Sequence, residues 1–168
     1  MIEGVNNALQ IRHCPALDQG TLVLALNGWM DGGDVSTGTV RRLVDLLDAQ
    51  PIAEIDPEPF YIYSFPGSME VAALLRPHIR IEDGQVASYD IPNNTFYCRE
   101  PANLLLFIGR EPNLRWRAFG DCIVALAHRM GIRRVVFVGS FGGAVPHTRE
   151  PRLHVTCSEA RLLSAMER

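Results

Sequence analysis

Apolar residues along the chain fall into three unbroken short runs, residues 21–26 (TLVLAL), 104–108 (LLLFI) and 133–138 (RRVVFV). None alternates with polar residues, and each is followed closely by glycine. That is the pattern of central strands buried on both faces. Behind the first run, residues 35–48 place Val35, Val40, Leu43, Val44 and Leu47 at helical spacing, and Pro51 ends the helix. Behind the second, residues 116–130 place Phe119, Ile123, Leu126, Ala127 and Met130 on one stripe, with Gly131 as the natural residue after a helix end. Two strand-loop-helix units result. They predict an α/β domain with a central, largely parallel sheet flanked by helices.

Residues 52–97 break that rhythm. Short β-like pieces at 60–63, 78–81 and 86–89, with an Asp83-Gly84 turn, predict a β-rich insertion between the α/β units. The tail from Ser158 to Arg168 reads as a helix capped by Ser158, with no closing strand after it. Two readings of that ending stand: a small fold, or the front part of a longer chain.

At 168 residues, one domain covering 1–168 is the expectation. The hydrophobic share of 47% and charged share of 21% belong to a packed globular chain, too apolar for disorder. A net charge of −3, with arginines scattered among acids, gives no footprint for nucleic acid. No apolar run approaches membrane-spanning length, and residues 1–10 lack the apolar core of a signal peptide. Cys14, Cys98, Cys122 and Cys157 lie far apart, with no C-x-x-C pair, so they read as reduced and mostly buried thiols. A bacterial or archaeal cytoplasm fits these features.

Parallel strands release their following loops at one edge of a sheet. The loops 27–34 (NGWMDGGD), 109–116 (GREPNLRW) and 139–151 (GSFGGAVPHTREP) are therefore expected side by side. They hold Asp31, Asp34, Glu111, His147, Thr148 and Arg149 beside Trp29, Trp116 and Phe141. Each has two readings. Asp34 is an N-cap or a ligand-binding group; Asp31 is an Asx-turn residue or a functional acid. Glu111 is a binding group or half of an ion pair with Arg149 or Arg117. His147, after Pro146 in a glycine-rich loop, suits function better than packing. The two tryptophans are packing residues or anchors.

Glycine-loop chemistry does not fit. G-S-F-G-G leads into Pro146 rather than a helix, and the first loop places two aspartates where a phosphate would sit. Without a G-x-S-x-G elbow, Ser140 is a poor nucleophile. Three functions remain. The first is a binding module using Trp29, Met30, Phe141 and Arg149. The second is a metal- or nucleotide-dependent enzyme of ligase or hydrolase type, with Asp31, Glu111 and His147 as catalytic candidates and magnesium or manganese as the suited ions. The third is a subunit whose edge is closed by its own oligomer. Binding ranks above catalysis, and the sequence requires no cofactor and specifies no metal site.

The blocks NGWMDGGDVSTGTV (27–40), IDPEPFY (55–61), LLLFIGREPNLRWRAF (104–119) and VVFVGSFGGAVPHTREP (135–151), taken in that order, resemble the proteasome assembly chaperone two family in its bacterial and archaeal branch. The resemblance implies an α/β sandwich related in shape to phosphorylase and peptidyl-hydrolase-like folds, often assembled into oligomers. The family's eukaryotic and archaeal members look like chaperones that hold proteasome α-subunits during ring assembly; some relatives have been grouped with ATP-dependent ligases. Two departures are visible. The stretch after Tyr61 is longer than the family's short arginine-proline link, and the late motif at Arg149-Glu150-Pro151 is spaced by one residue. Chaperone relatives that dock on proteasome rings end in a hydrophobic-tyrosine-x tail, whereas this sequence ends Met166-Glu167-Arg168, and family members run longer.

Overall fold

The structure, a computed structural model, describes residues 8–150 and 153–166. The beginning of the chain up to residue 7, Pro151 with Arg152, and Glu167 with Arg168 lie outside the described residues, so part of the signal-peptide reading and the last two tail residues lie there too.

Among the described residues eight strands form, and six make the main sheet in the order β1 (Leu9–Ile11), β3 (Gln50–Ile55), β6 (Thr95–Arg99), β7 (Leu104–Arg110), β2 (Gly20–Asn27) and β8 (Ile132–Phe137). The sheet is mixed, which corrects the largely parallel expectation. β2 pairs in parallel with β7 and β8, while β1 with β3, β3 with β6, and β6 with β7 are antiparallel. The physical reason lies in the connections. β6 joins β7 through a tight 3₁₀ turn at Glu100–Ala102, closed by Asn103 in the left-handed region, a link too short for a crossover helix. β2, β3, β7 and β8 still all point the same way, because β3 and β7 flank β6 and both oppose it.

Helices α1 (Val35–Leu47) and α3 (Trp116–Arg129) cover opposite faces. On one face Val40 of α1 packs with Ala25 and Leu106. On the other, Phe119, Cys122 and Leu126 of α3, with Met130 just beyond it, pack with Leu22, Leu105, Phe107 and Phe96. Successive residues of β2 and β7 thus serve alternate cores, which is why their runs are continuously apolar. Both helices lie within a residue of their predicted bounds. Gly131 takes a φ of +74°, and a Cβ there would stand 2.5 Å from the Leu17 carbonyl, so backbone approach selects glycine. Burial pushes the Cys98 thiol up to about 11, the nearby Glu100 and Cys14 adding to it, as suits a packing residue. Cys122 is buried as well, Cys14 and Cys157 are half-buried, and no disulfide joins the four.

β8 departs from its expected burial on both faces. It closes the sheet, and Val135, Val136 and Phe137 are exposed. An apolar run signals a strand, but what covers the strand comes from elsewhere in a structure. The span 52–97 divides between two sheets. Its ends belong to β3 and β6 of the main sheet. Its middle carries the short helix α2 (Met69–Ala73) and a separate hairpin of β4 (His78–Glu82) and β5 (Gln85–Asp90). Asp83 and Gly84 both have positive φ, as a two-residue primed turn requires. Residues 60–63 form no strand; Phe60 and Tyr61 are instead buried loop residues. The last helix, α4 (Ala160–Met166), begins two residues past Ser158. No helix among the described residues is long and apolar enough to cross a membrane.

Candidate functional site

The loops after β2, β7 and β8 meet at one edge, held by hydrogen bonds from residues not singled out as holders. Asp31 pairs with Ser140 in an isolated parallel bridge: the Gly32 N–H donates to the Ser140 carbonyl at 3.2 Å, and the Ser140 N–H to the Met30 carbonyl at 2.8 Å. The Ser140 hydroxyl donates to the Gly32 carbonyl at 2.9 Å. The second loop is fixed to the first by Glu111, whose N–H donates to the Asn27 carbonyl at 2.9 Å and whose Oε2 accepts the Trp29 N–H at 3.0 Å. Gly28 has a φ of +150°, and a Cβ there would lie 2.5 Å from the Glu111 carboxyl carbon. Glycine is what lets that carboxylate reach under the turn.

Asp31 is buried and fully used. Its Oδ1 accepts the Thr37 N–H at 2.9 Å, and its Oδ2 accepts the Thr37 hydroxyl at 2.7 Å and the Asn27 amide at 3.2 Å. Burial alone would raise its carboxyl, but donors from Thr37, Asn27 and the Ser36 backbone outweigh that and hold it below the ordinary carboxylate value. Thr37 is the third residue of α1, so Asp31 performs the capping that Asp34 is placed to perform. Asp34 occupies the N-cap position with a left-handed backbone and makes no side-chain cap bond. The Ser36 hydroxyl donates to the Val138 carbonyl, tying α1 to the end of β8.

A fourth loop belongs to this edge. Because β3 points the same way as β2 and β7, residues 56–63 emerge beside 109–116. The Asn113 and Leu114 N–H groups both bond to the Phe60 carbonyl, at 2.9 and 3.0 Å. The Tyr61 hydroxyl stands 2.7 Å from the Arg110 carbonyl and 2.9 Å from Asn94 Oδ1, one proton facing two acceptors. Burial pushes this phenol up to about 12. Asn94, almost fully buried, also accepts the Arg110 N–H at 3.1 Å. Tyr61→Phe is expected to cost about 1–2 kcal/mol, read as a lowered urea midpoint at unchanged slope, since it removes the hydroxyl that bonds the part-buried Arg110 carbonyl and the buried Asn94 Oδ1. The crevice between Tyr61, Tyr63, Leu75, Asp90 and Arg110 is about 20 Å³, room for a single water.

The predicted residues thus divide. Asp31 and Glu111 lie together, engaged in holding loops. Among the described ion pairs, neither Arg149 nor Arg117 partners Glu111. His147, Thr148 and Arg149 lie on the exposed limb of the third loop, beyond the part anchored at Ser140, and the Arg149 N–H closes a turn onto the Pro146 carbonyl at 2.9 Å. No group of three or more His, Cys, Asp or Glu among the described residues is arranged to hold a metal ion. The aromatics point outward: Trp29 is 85% exposed, Phe141 64% and Trp116 54%. Phe141 stands 6.4 Å from the His154 ring, centroid to centroid. Sequence reasoning missed Asn27 and Thr37 as partners of Asp31, and missed the whole fourth loop. Thr37, three residues after a candidate cap, was the available signal for the first.

Comparison with known proteins identifies relatives of the chain. A model of the PAC2 family matches residues 25–168. The crystal structure of a proteasome-assembly chaperone homologue from Mycobacterium tuberculosis is similar at 34% identity, over 77% of this chain and 52% of that one, with a TM-score of 0.66. A PAC2 family protein from Streptomyces avermitilis is 25% identical over 88% of this chain and 61% of its own, at a TM-score of 0.69. A Mycobacterium tuberculosis protein of unknown function shares the fold at 22% identity, over 94% and 55% of the two chains, at 0.73. This chain therefore spans less than two thirds of the length of these relatives. Among curated proteins none matches it.

Proposed function

The chain belongs to the PAC2 family, and from that premise we propose that it is a protein-binding, assembly-chaperone-like domain that contacts its partner through the loop edge. One observation carries the reading: Trp29 and Phe141, each well over half exposed, stand on loops whose backbones are pinned by Asp31, Ser140 and Glu111. Large aromatics held out on ordered loops lose little side-chain freedom on binding and are the usual anchors of an interface. Around them Trp116, Asp34, His147, Thr148 and Arg149 supply a polar, partly aromatic rim. The relative named as a proteasome-assembly chaperone homologue suggests a proteasome component as the partner class, and the family resemblance given above points to α-type subunits among them. The reading treats the chain as one α/β domain in the cytoplasm, where its thiols stay reduced, and includes self-association.

The test titrates the purified chain against purified α-type subunits by calorimetry. Trp29→Ala with Phe141→Ala is expected to weaken binding by about 30-fold, the scale of a ~2 kcal/mol hot spot. The thermal midpoint should stay put, because neither ring is buried. Equal affinity for the wild type and the double variant, or no complex at all, would remove the loop edge from the role assigned to it.

A further inference from the structure

β8 ends the main sheet, and among the described residues only β2 pairs with it. Just past the strand, the Val138 N–H bonds to the Leu24 carbonyl at 3.0 Å. Peptide groups along a strand turn alternately to its two sides. Val136 therefore shares the inner side with Val138, while Val135 and Phe137 turn their N–H and carbonyl groups to the open one. Among the described residues no other segment bonds to those four groups. The side chains are open as well: Val135 and Phe137, on one face, are 57 and 45% exposed, and Val136, on the other, is 37%. Arg133 and Arg134, immediately before them, are exposed and have no partner among the described ion pairs.

Open backbone donors and acceptors beside an apolar row are met together by one kind of occupant, an extended polypeptide that hydrogen-bonds along the strand and lays alternate side chains on its two faces. We propose that the β8 edge is a docking site for an extended segment of a partner protein in which two acidic residues adjoin three apolar ones. The acids meet Arg133 and Arg134, and the apolar residues meet Val135, Val136 and Phe137, as cross-strand pairs. Charge decides against the nearer occupants. A second copy would bring two more arginines to the edge and no acid, since β8 reads IRRVVF. Residues 153–157 of the same chain, LHVTC, carry no acid either. The inference goes beyond the loop-edge reading and does not rest on it.

Nuclear magnetic resonance on the full chain tests it. The probes are a blocked peptide of two glutamates followed by two valines and a phenylalanine, its reversed sequence, and both with lysines for the glutamates. One of the two glutamate peptides is expected to bind at sub-millimolar concentration, shifting the Val135 and Phe137 amides and slowing their hydrogen exchange. Lysine in place of glutamate should weaken binding by about tenfold or more, the scale of two cross-strand charge pairs. Arg133→Glu with Arg134→Glu should reverse that preference, a swap that an unfolded variant cannot show. Val135→Pro should abolish binding of the favoured peptide with the circular dichroism retained, because it deletes an N–H that the protein's own sheet leaves unused. Trp29→Ala should bind the peptide as the wild type does, which separates this result from failure of the loop-edge reading. No binding of either glutamate peptide at millimolar concentration overturns the proposal, as does equal binding of glutamate and lysine peptides. So do Val135 and Phe137 amides already slow to exchange in the free chain, as a second copy or residues 153–157 on the edge would make them.

Discussion

Asp31→Ala is expected to destabilise the protein by about 2–4 kcal/mol, because it removes a buried charged acceptor from three donors at once. The Thr37 N–H would then be an orphan donor in the first turn of α1, and the Asn27 amide would lose its acceptor beside the Gly28 turn. Asp31→Asn tests the charge with the shape kept. Its carbonyl still accepts from the Thr37 N–H, but its amide meets the Asn27 amide donor to donor, so the loss should be smaller, about 1–2 kcal/mol. Chemical denaturation of both variants gives these values directly.

The same side chain sets a pH dependence with a definite sign. Its folded-state pKa is lowered, so its contribution to stability is full above the unfolded value of about 4 and disappears as pH falls through the lowered folded value. The stability gap between wild type and Asp31→Asn should therefore be constant near neutrality and close only in acid. A gap that narrows between pH 8 and 6 would contradict the role given to Asp31.

Phe119→Ala carries the other large effect, about 3–5 kcal/mol. Phe119 is 2% exposed, and its ring meets Phe60 edge-on at 5.3 Å and Phe107 at 6.3 Å, joining α3, β7 and the 56–63 loop in one aromatic chain. The cavity cannot close by a single side-chain shift, since Phe107 is itself packed at a tilt against Phe96, 4.3 Å between ring centroids. Beyond the lower melting temperature, Phe60 would lose its anchor. Hydrogen exchange should speed at the Asn113 and Leu114 amides, which bond to the Phe60 carbonyl. Unchanged exchange there, with stability lost, would detach the core from the fourth loop.

Together these variants separate groups that hold the loop edge from groups that face outward on it. Asp31 and Glu111 read as acid-base candidates in the sequence; in the structure Asp31 accepts from three donors, and Glu111 Oε2 accepts the Trp29 N–H. Trp29 and Phe141 stand exposed on the loops of that edge. A carboxylate in a glycine turn looks the same in sequence whether it caps a helix from a distance or waits for a ligand. The 2.9 Å bond from the Thr37 N–H to its carboxylate distinguishes the two.

Helices 35–47 and 116–129, strands β2 and β7, and the Asp83-Gly84 hairpin were all legible in the sequence by itself, as was the family. Helical spacing, unbroken apolar runs and turn residues are properties of neighbouring positions, and local sterics enforce them. Tertiary structure alone decided that β6 runs against its neighbours, that β3 delivers a fourth loop to the loop edge, and that β8 lies uncovered. Burial and strand direction depend on which distant segment packs alongside, and a side chain's own chemistry carries no record of that neighbour.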